Sequence, residues 1–433
     1  MLFGPRQVGK TTYLKLLIKE LIEKGISCDK ICYFSCDALL SNKREELREA
    51  IDFLLGKSPS YLLIDEISNI ADCSFEIKFF IDSGKFNGIQ VFITGSPFGI
   101  KEYLPGRKIS YHYLMPITFR EFLENLSVNI NEKTIRAFNL KQHQVEEIKN
   151  FTAILSTITY EFDSLNELEG KTKRIEIFYS LIEKLFYIYI LIGGFPSAIN
   201  AYIRYKLDNN KVHLLEEIKT NKERLIDSLR KRGKNEGICL QLINSIKKRL
   251  SSRYSFTELK ETEIDLSKET IINYVSYLKS IFILKVIYAY DFGRNEVGWK
   301  KNKKIYLTDP FIYHEGKILE EENIYADEDY LSRIIESVTA ISLAYLKEDI
   351  FNSLESFLFF WYNSKEIDFV LRSEGIFGIE IKFRKKIEKI HQISQVKNYI
   401  ILTKNLIEHR EGNEIYIPVF LFLPLLKNKE GYL

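Results

Sequence analysis

The stretch GPRQVGKTT, Gly4 to Thr12, constrains this chain more than any other. It fits G-x-x-x-x-G-K-[ST] in full and runs directly into YLKLLIKELIEKG, whose apolar positions recur at helical spacing as far as Gly25. Glycines let successive backbone N–H groups close around phosphate oxygens, and the helix amino terminus adds a favourable dipole. In such a cradle Lys10 reaches the β and γ phosphates and the Thr11 hydroxyl ligates Mg²⁺. The phosphate-binding set is therefore Gly4, Pro5, Arg6, Gln7, Val8, Gly9, Lys10, Thr11 and Thr12. Only Met1, Leu2 and Phe3 precede the loop, whereas a central strand usually has about five residues. The expectation is a start downstream of the natural one, the alternative a stunted first strand.

Further along, YLLIDEI (Tyr61 to Ile67) reads as a buried strand ending in Asp65 and Glu66. Asp65 would hold the Mg²⁺, directly or through water, and Glu66 would polarise the attacking water. VFITGS (Val91 to Ser96) is another apolar strand, placing Thr94 and Ser96 at its carboxyl end, where open α/β sheets bind ligands. A chance glycine-rich turn beside an acidic strand would explain any one element. Three in order, each in its own strand or helix context, predict a nucleotide site in an α/β domain.

Composition narrows the class. With 45% hydrophobic and 13% aromatic residues the chain has ample material for packed cores, and 433 residues predict about three domains. A net charge of +3 does not by itself imply nucleic acid, so any DNA contact must rest on local patches. No apolar run of ~18 residues is free of charge, and the start lacks the pattern of a secretory signal, so no membrane partner and a cytoplasmic location are expected. The five cysteines, Cys28, Cys32, Cys36, Cys73 and Cys239, are expected as reduced thiols, because KICYFSCD alternates like a strand rather than a zinc knuckle.

Together, GPRQVGKTT, LLIDEI, ITGS, LPGRKISYHYLMPITFREFL and GGFPSAI resemble the prokaryotic AAA+-like ATPases that carry a carboxyl-terminal domain of uncharacterised function, DUF4143, close to the archaeal ATPase group. The resemblance covers nearly the whole chain. It implies an α/β P-loop NTPase (AAA+/STAND-like), here residues 1–118, then a helical lid (119–235), a winged helix (236–315) and a restriction-endonuclease-like α/β domain (316–433). It implies ATP and Mg²⁺ as cofactors, Lys10 as the Walker lysine, Asp65 and Glu66 as the acidic pair, and Thr94 or Ser96 as the polar residue after the fourth strand. Arg107 in LPGR and Arg120 in FREF fall where a γ-phosphate charge sensor would lie, in cis or from a neighbour in a homo-oligomer. The competing readings are a turn cap for Arg107 and a domain-interface ion pair for Arg120.

From 127 to 235 the pattern is charged and helical, with loop-like breaks at NELEGKTKR and LDNNK, and a glycine turn in LIGGFPSAINAY before a helix with Pro196 near its start. The next stretch divides into a helix to about Leu250, a short helix at FTELKE and a third opened by Ser267 as N-cap. In the third, Ile271, Ile272, Val275 and Leu278 lie at core spacing, leaving Lys268, Glu269, Thr270, Asn273 and Ser276 outward. Strands at 281–290 and KKIYLTD, joined through KKNKK, complete a winged helix. On a DNA-binding reading, Lys268, Thr270 and Asn273 lie near DNA and Lys300, Lys301, Lys303 and Lys304 on phosphates; the alternative is a protein-docking or lid module.

EIDFVL and FGIEIKF alternate with period two around RSEG, a hairpin signal. Glu380 and Lys382 then share a face, and Asp368 on the neighbouring strand can meet them. This reproduces the D…(E/D)-x-K pattern of restriction-type nucleases, in which Asp368 and Glu380 bind a metal that activates water and Lys382 positions that water. Glu336, on an otherwise apolar helix, supplies a further metal ligand, and Lys382, Arg384, Lys385 and Lys386 flank the site with positive charge. The alternative is a retired site whose charges pair with one another. Three functions follow: an ATPase switch acting on a DNA or protein partner, a DNA nuclease licensed by ATP with Glu380 and Lys382 catalytic beside Lys10 and Glu66, or a non-catalytic interaction protein.

Overall fold

The computed structural model describes residues 1–39, 43–95, 104, 107–231, 233–258, 266–347, 357–363, 365–373, 375–384, 390–410 and 412–428. Ser96, residues 259–261 of FTELKE, Lys385 and Lys386 lie outside the described residues.

The amino-terminal layer is a parallel sheet built from β1 (Leu2–Phe3), β2 (Ile31–Ser35), β3 (Tyr61–Asp65), β4 (Gln90–Gly95) and β5 (His112–Tyr113), in the order β2-β3-β4-β1-β5. Leu62, Leu63 and Ile64 are wholly buried, as a strand covered on both faces requires. Helices α1 (Lys10–Glu23), α2 (Arg44–Leu55) and α3 (Cys73–Asp82) complete this layer. β1 spans two residues, yet it pairs with β4 through Leu2 and Phe3 and with β5 on its other side.

The helical region follows as α4 (Phe119–Asn129), α5 (Glu132–Ala137), α6 (Gln142–Leu155), α7 (Leu165–Ile175), α8 (Tyr179–Ile192), α9 (Pro196–Asp208) and α10 (Val212–Lys231). Thr118 opens α4 with a capping box closed by Glu121. The expected break at NELEGKTKR is instead helix α7. Ser164 caps it, Leu165, Leu168, Thr172 and Ile175 bury one stripe, and Lys171–Glu167 and Lys173–Glu169 pair at i,i+4 on the exposed side. The break at LDNNK is observed between α9 and α10, with Asn209 left-handed.

Next come α11 (Glu236–Lys248), β6 (Arg253–Tyr254), helical residues at 256–258, α12 (Lys268–Ser280), β7 (Leu284–Tyr288) and β10 (Lys303–Leu307), the three strands forming an antiparallel sheet in the order β6-β10-β7. A small ribbon, β8 (Tyr290–Asp291) with β9 (Glu296–Val297), stands between β7 and β10. Ser267 caps α12 as its spacing predicts, accepting the Thr270 N–H at 3.1 Å. Lys268, Glu269, Asn273 and Ser276 are exposed and Thr270 half-buried. Ile272, expected in the core, faces outward instead, and Tyr274 and Tyr277 take the buried positions beside Ile271, Val275 and Leu278. The apolar stripe is thus rotated toward the two tyrosines, whose rings bury more surface than an isoleucine.

The chain ends in a second α/β layer. After α13 (Pro310–His314), α14 (Glu321–Ala326) and α15 (Glu328–Lys347) come β11 (Leu358–Tyr362), β12 (Glu366–Arg372), β13 (Ile376–Lys382), β14 (Asn398–Thr403), β15 (Glu408–Arg410), β16 (Glu414–Pro418) and α16 (Val419–Phe422). Their sheet order is β11-β12-β13-β14-β16-β15. The predicted hairpin is β12–β13, antiparallel with Phe369 opposite Ile379 and Leu371 opposite Phe377. One apolar core runs through the chain from Phe3 to Leu426. A smaller one, around Phe359, Val370, Tyr399 and Tyr290, covers the other face of the second sheet and draws the β8–β9 ribbon onto it.

Candidate functional site

The sheet order places β4 between β1 and β3, so the loop after β1, the acids ending β3 and Thr94 on β4 all converge at the carboxyl ends of adjacent strands. The loop is shaped by two positive-φ residues, Gln7 at 68° and Gly9 at 106°, the latter at the N-cap of α1. Gly4 is required for a different reason. A Cβ there would stand 2.0 Å from the Leu114 carbonyl oxygen, on the segment whose N–H donates to Phe3.

Lys10 is buried and donates to the carbonyls of Gly4 (3.1 Å) and Pro5 (2.9 Å), with Glu66 Oε1 at 3.5 Å. Burial lowers the Lys10 pKa from its ordinary value, opposed by the Glu66 carboxylate. Asp65 is held by three hydroxyls: Thr11 donates to Oδ2 at 2.7 Å, Tyr33 to Oδ2 at 3.0 Å, and Thr94 to Oδ1. Thr94 Oγ1 also accepts the Glu66 N–H at 3.0 Å, and Glu66 itself sits left-handed at φ 52°. Tyr33 was not legible in the sequence as a site residue. Its hydroxyl is pushed up to about 12 by burial and by the Asp65 charge, so it remains a donor. The alternation of β2 beside β3 was the available signal, since Ser35 pairs with Asp65 and Tyr33 lies two residues before it.

An Mg²⁺-nucleotide fits this arrangement. The Thr11 hydroxyl and the Asp65 carboxylate already meet, Lys10 is poised under the loop, and Gln7 Oε1 is buried without a hydrogen-bond partner. Arg6 contacts Asn69 at 3.4 Å, and Asn69 in turn donates to Asp37 at 2.6 Å.

The two arginines lie elsewhere. Arg107 pairs with Asp82 at the end of α3 (2.7 and 2.8 Å). Arg120 is buried and donates to the carbonyls of Leu155 (2.7 Å), Ile158 (3.0 Å) and Pro424 (2.9 Å) and to Glu124 (2.9 Å). It ties α4 to α6 and to the end of the chain.

The second constellation is assembled differently from its sequence pattern. Glu336 on α15 and Asp368 on β12 do come together, but around the Lys304 ammonium, which lies 3.0 Å from Glu336 Oε1, 3.2 Å from Asp368 Oδ1 and 2.6 Å from Glu366 Oε1. Tyr306 donates to the same Glu336 oxygen at 2.6 Å, and the Ile381 N–H donates to Asp368 Oδ2 at 2.9 Å. Glu380 pairs with Lys382 at 2.8 Å through Oε2, while its Oε1 is buried without a hydrogen-bond partner. Burial raises the carboxyl pKa of both Glu336 and Glu380. Among the described residues, no group of three or more His, Cys, Asp or Glu side chains is disposed to hold a metal ion. The residues named as metal ligands here therefore do not fit a metal while Lys304 is among them.

The lysines expected on phosphates are likewise redistributed. Lys304 is wholly buried, and Lys303 is buried over the Phe256 and Tyr288 rings at 5.2 and 5.7 Å. Lys301 pairs with Asp291 at 2.9 Å. The cause is strand geometry: Lys303 and Lys304 both lie in β10, where neighbours point to opposite, covered faces. Arg384 pairs with Asp329 at 3.0 Å.

Residues 1–123 match the family described as AAA domain, and residues 183–322 match a domain of unknown function, DUF8612. The chain is 24% identical over 336 residues to the uncharacterized protein MJ1544 of Methanocaldococcus jannaschii, a match that takes in 74% of this chain and spans 64% of that relative's length. Among solved structures, that of the Aeropyrum pernix ORC1 protein in complex with DNA aligns over 77% of this chain and 87% of that one. It does so at 12% identity and a TM-score of 0.31, too low to bear on fold or function. Among the described residues no helix is long and apolar enough to cross a membrane. The cradle, the acidic strand and the family match agree: the amino-terminal part of the chain carries an AAA-type P-loop domain.

Proposed function

We propose that this protein is an Mg²⁺-dependent ATPase whose nucleotide state repositions the parts of the chain beyond the P-loop domain on a DNA or protein partner. The observation that carries this reading is the single connected network Lys10–Glu66–Thr94–Asp65–Thr11 at the carboxyl ends of β1, β3 and β4. When bound, Mg²⁺ neutralises phosphate charge and orients the γ-phosphoryl group for attack by water. Thr11 and Asp65 would hold it, with Thr94 and Tyr33 fixing the Asp65 carboxylate. Lys10, now shared between two loop carbonyls and Glu66, turns to the phosphates. Glu66 is thereby released to orient and deprotonate water.

Contacts within the packing support a route for such a switch. Leu114 touches the loop at Gly4, and the Ile117 N–H donates to Gly194 at 3.0 Å. Tyr189 donates to the Ile117 carbonyl at 2.9 Å, and the Gly194 N–H donates to Asp309. The α8–α9 turn thus joins the P-loop domain to the segment that leads into the second sheet. Helix and strand order, with sheet order β6-β10-β7, support a winged helix over 236–315, and the mixed sheet with its β12–β13 hairpin supports a restriction-endonuclease-like fold at the end. With its ribbon docked on the second sheet, the outward side of α12, carrying Lys268, Thr270 and Asn273, is the partner-facing surface of this reading.

Calorimetry and steady-state hydrolysis test the proposal. Lys10→Ala should weaken ATP binding by about ten- to a hundredfold, the loss of a charged hydrogen bond to phosphate. Glu66→Gln should bind ATP and fail to turn it over. Full-length protein that shows no ATP binding would end this reading.

A further inference from the structure

The acid cluster of the second sheet has a cation already, and it comes from another module of the chain. Lys304 belongs to β10, where its backbone pairs with Ile287 of β7 on one side and Arg253 of β6 on the other. Its ammonium is wholly buried among Glu336, Glu366 and Asp368, with the Phe360 ring at 5.8 Å. Burial by itself would lower the Lys304 pKa, but the surrounding carboxylates hold it well above the ordinary value. A second tie crosses the same junction, from Arg253 on β6 to Glu366 at 3.4 Å.

We propose that Lys304 is the resident cation of this cluster: its ammonium stands where a divalent metal would bind, so the cluster excludes Mg²⁺ and Mn²⁺ while β10 is in place and accepts such an ion once that ammonium is removed. Three carboxylate oxygens from three separate positions converge on one point at 2.6–3.2 Å. Hard divalent ions take carboxylate oxygens at about 2.0–2.6 Å, so contraction by roughly half an ångström converts the ammonium's shell into a metal's. Independently, Glu380 Oε1 is buried with no hydrogen-bond partner, an acceptor left over beside Asp368, whose charge helps to raise the Glu380 pKa after burial itself. A strand lysine cannot swing away as a surface lysine does. Two neighbouring strands hold its backbone, so clearing the site means separating the β6-β10-β7 sheet from the second sheet.

The inference concerns the chain without nucleotide and does not rest on the ATPase reading. Its test is Mn²⁺ binding to the full chain, followed by the electron-paramagnetic signal of free Mn²⁺, for wild type, Lys304→Met and Lys304→Met/Asp368→Asn. Any binding at the P-loop is common to all three. Lys304→Met should take up about one more equivalent of Mn²⁺ than wild type, lost again in the double variant, and its thermal midpoint should rise with Mn²⁺ while that of the double variant does not. If the carboxylates that lose the ammonium, the buried Glu336 above all, prevent Lys304→Met from folding, Lys304→Met/Glu336→Gln removes one of the charges and carries the same comparison. The proposal is overturned if wild type binds Mn²⁺ in a manner abolished by Asp368→Asn, or if the folded Lys304 variants bind no more than wild type.

Discussion

Replacing Arg120 by methionine separates an anchoring role from a role at the nucleotide. The side chain is 3% exposed, and its guanidinium serves three backbone carbonyls and one carboxylate. Of the carbonyls, that of Leu155 keeps a second donor, the Ile158 N–H at 3.2 Å. Those of Ile158 and Pro424 lose the guanidinium, at about 1–3 kcal/mol for each buried acceptor left unmade. The Glu124 side chain is 38% exposed, so that ion pair adds less than about 1 kcal/mol. The total is about 2–7 kcal/mol, reduced by removing a charge whose burial is itself unfavourable; burial is what lowers the Arg120 pKa. The loss should fall where the bonds are. Native-state hydrogen exchange should show lower protection in α4, in the last turn of α6 and in residues 423–426, with ATP affinity within about twofold of wild type. Unchanged exchange together with a large loss of hydrolysis would refute the reasoning and return Arg120 to the nucleotide.

Two further outcomes follow from single contacts. Tyr33→Phe removes one of three hydroxyl donors from Asp65, worth about 1 kcal/mol, and should lower ATP turnover about fivefold with little change in ATP affinity; steady-state kinetics at saturating Mg²⁺ reads both. His314 is buried, with Nε2 at 2.8 Å from the Ile190 carbonyl and Nδ1 at 3.1 Å from the Tyr330 hydroxyl, and burial lowers its pKa from 6.5 to about 4. Between those values the unfolded chain binds the proton and the fold does not, so this group's contribution is present above pH 6.5 and is lost as pH falls toward 4. His314→Gln, which keeps a donor and an acceptor, should flatten the decline of the unfolding midpoint over that range, and parallel slopes would refute it.

The parts of this molecule that were legible in the sequence are those whose cause is local. The phosphate cradle needs particular glycines next to a helix start, Ser267 caps the helix it precedes, and the β12–β13 hairpin follows from period-two alternation around RSEG. Local signals also misled where they were weak: NELEGKTKR carries a glycine and a dense run of charge, yet its capping serine and its buried stripe make it a helix. What only the tertiary structure decided is the company kept by charged side chains. Arg120 finds its carbonyl partners 35, 38 and 304 residues away, and Lys304 finds its carboxylates 32, 62 and 64 residues on. A run such as KKNKK reads as a wing that meets phosphates because periodicity reports which positions face a core, not whether that core holds the opposite charge. Once β10 is covered on both faces, burying Lys304 is tolerable only beside acids, and that pairing turns a pattern read as a metal site into an internal ion cluster.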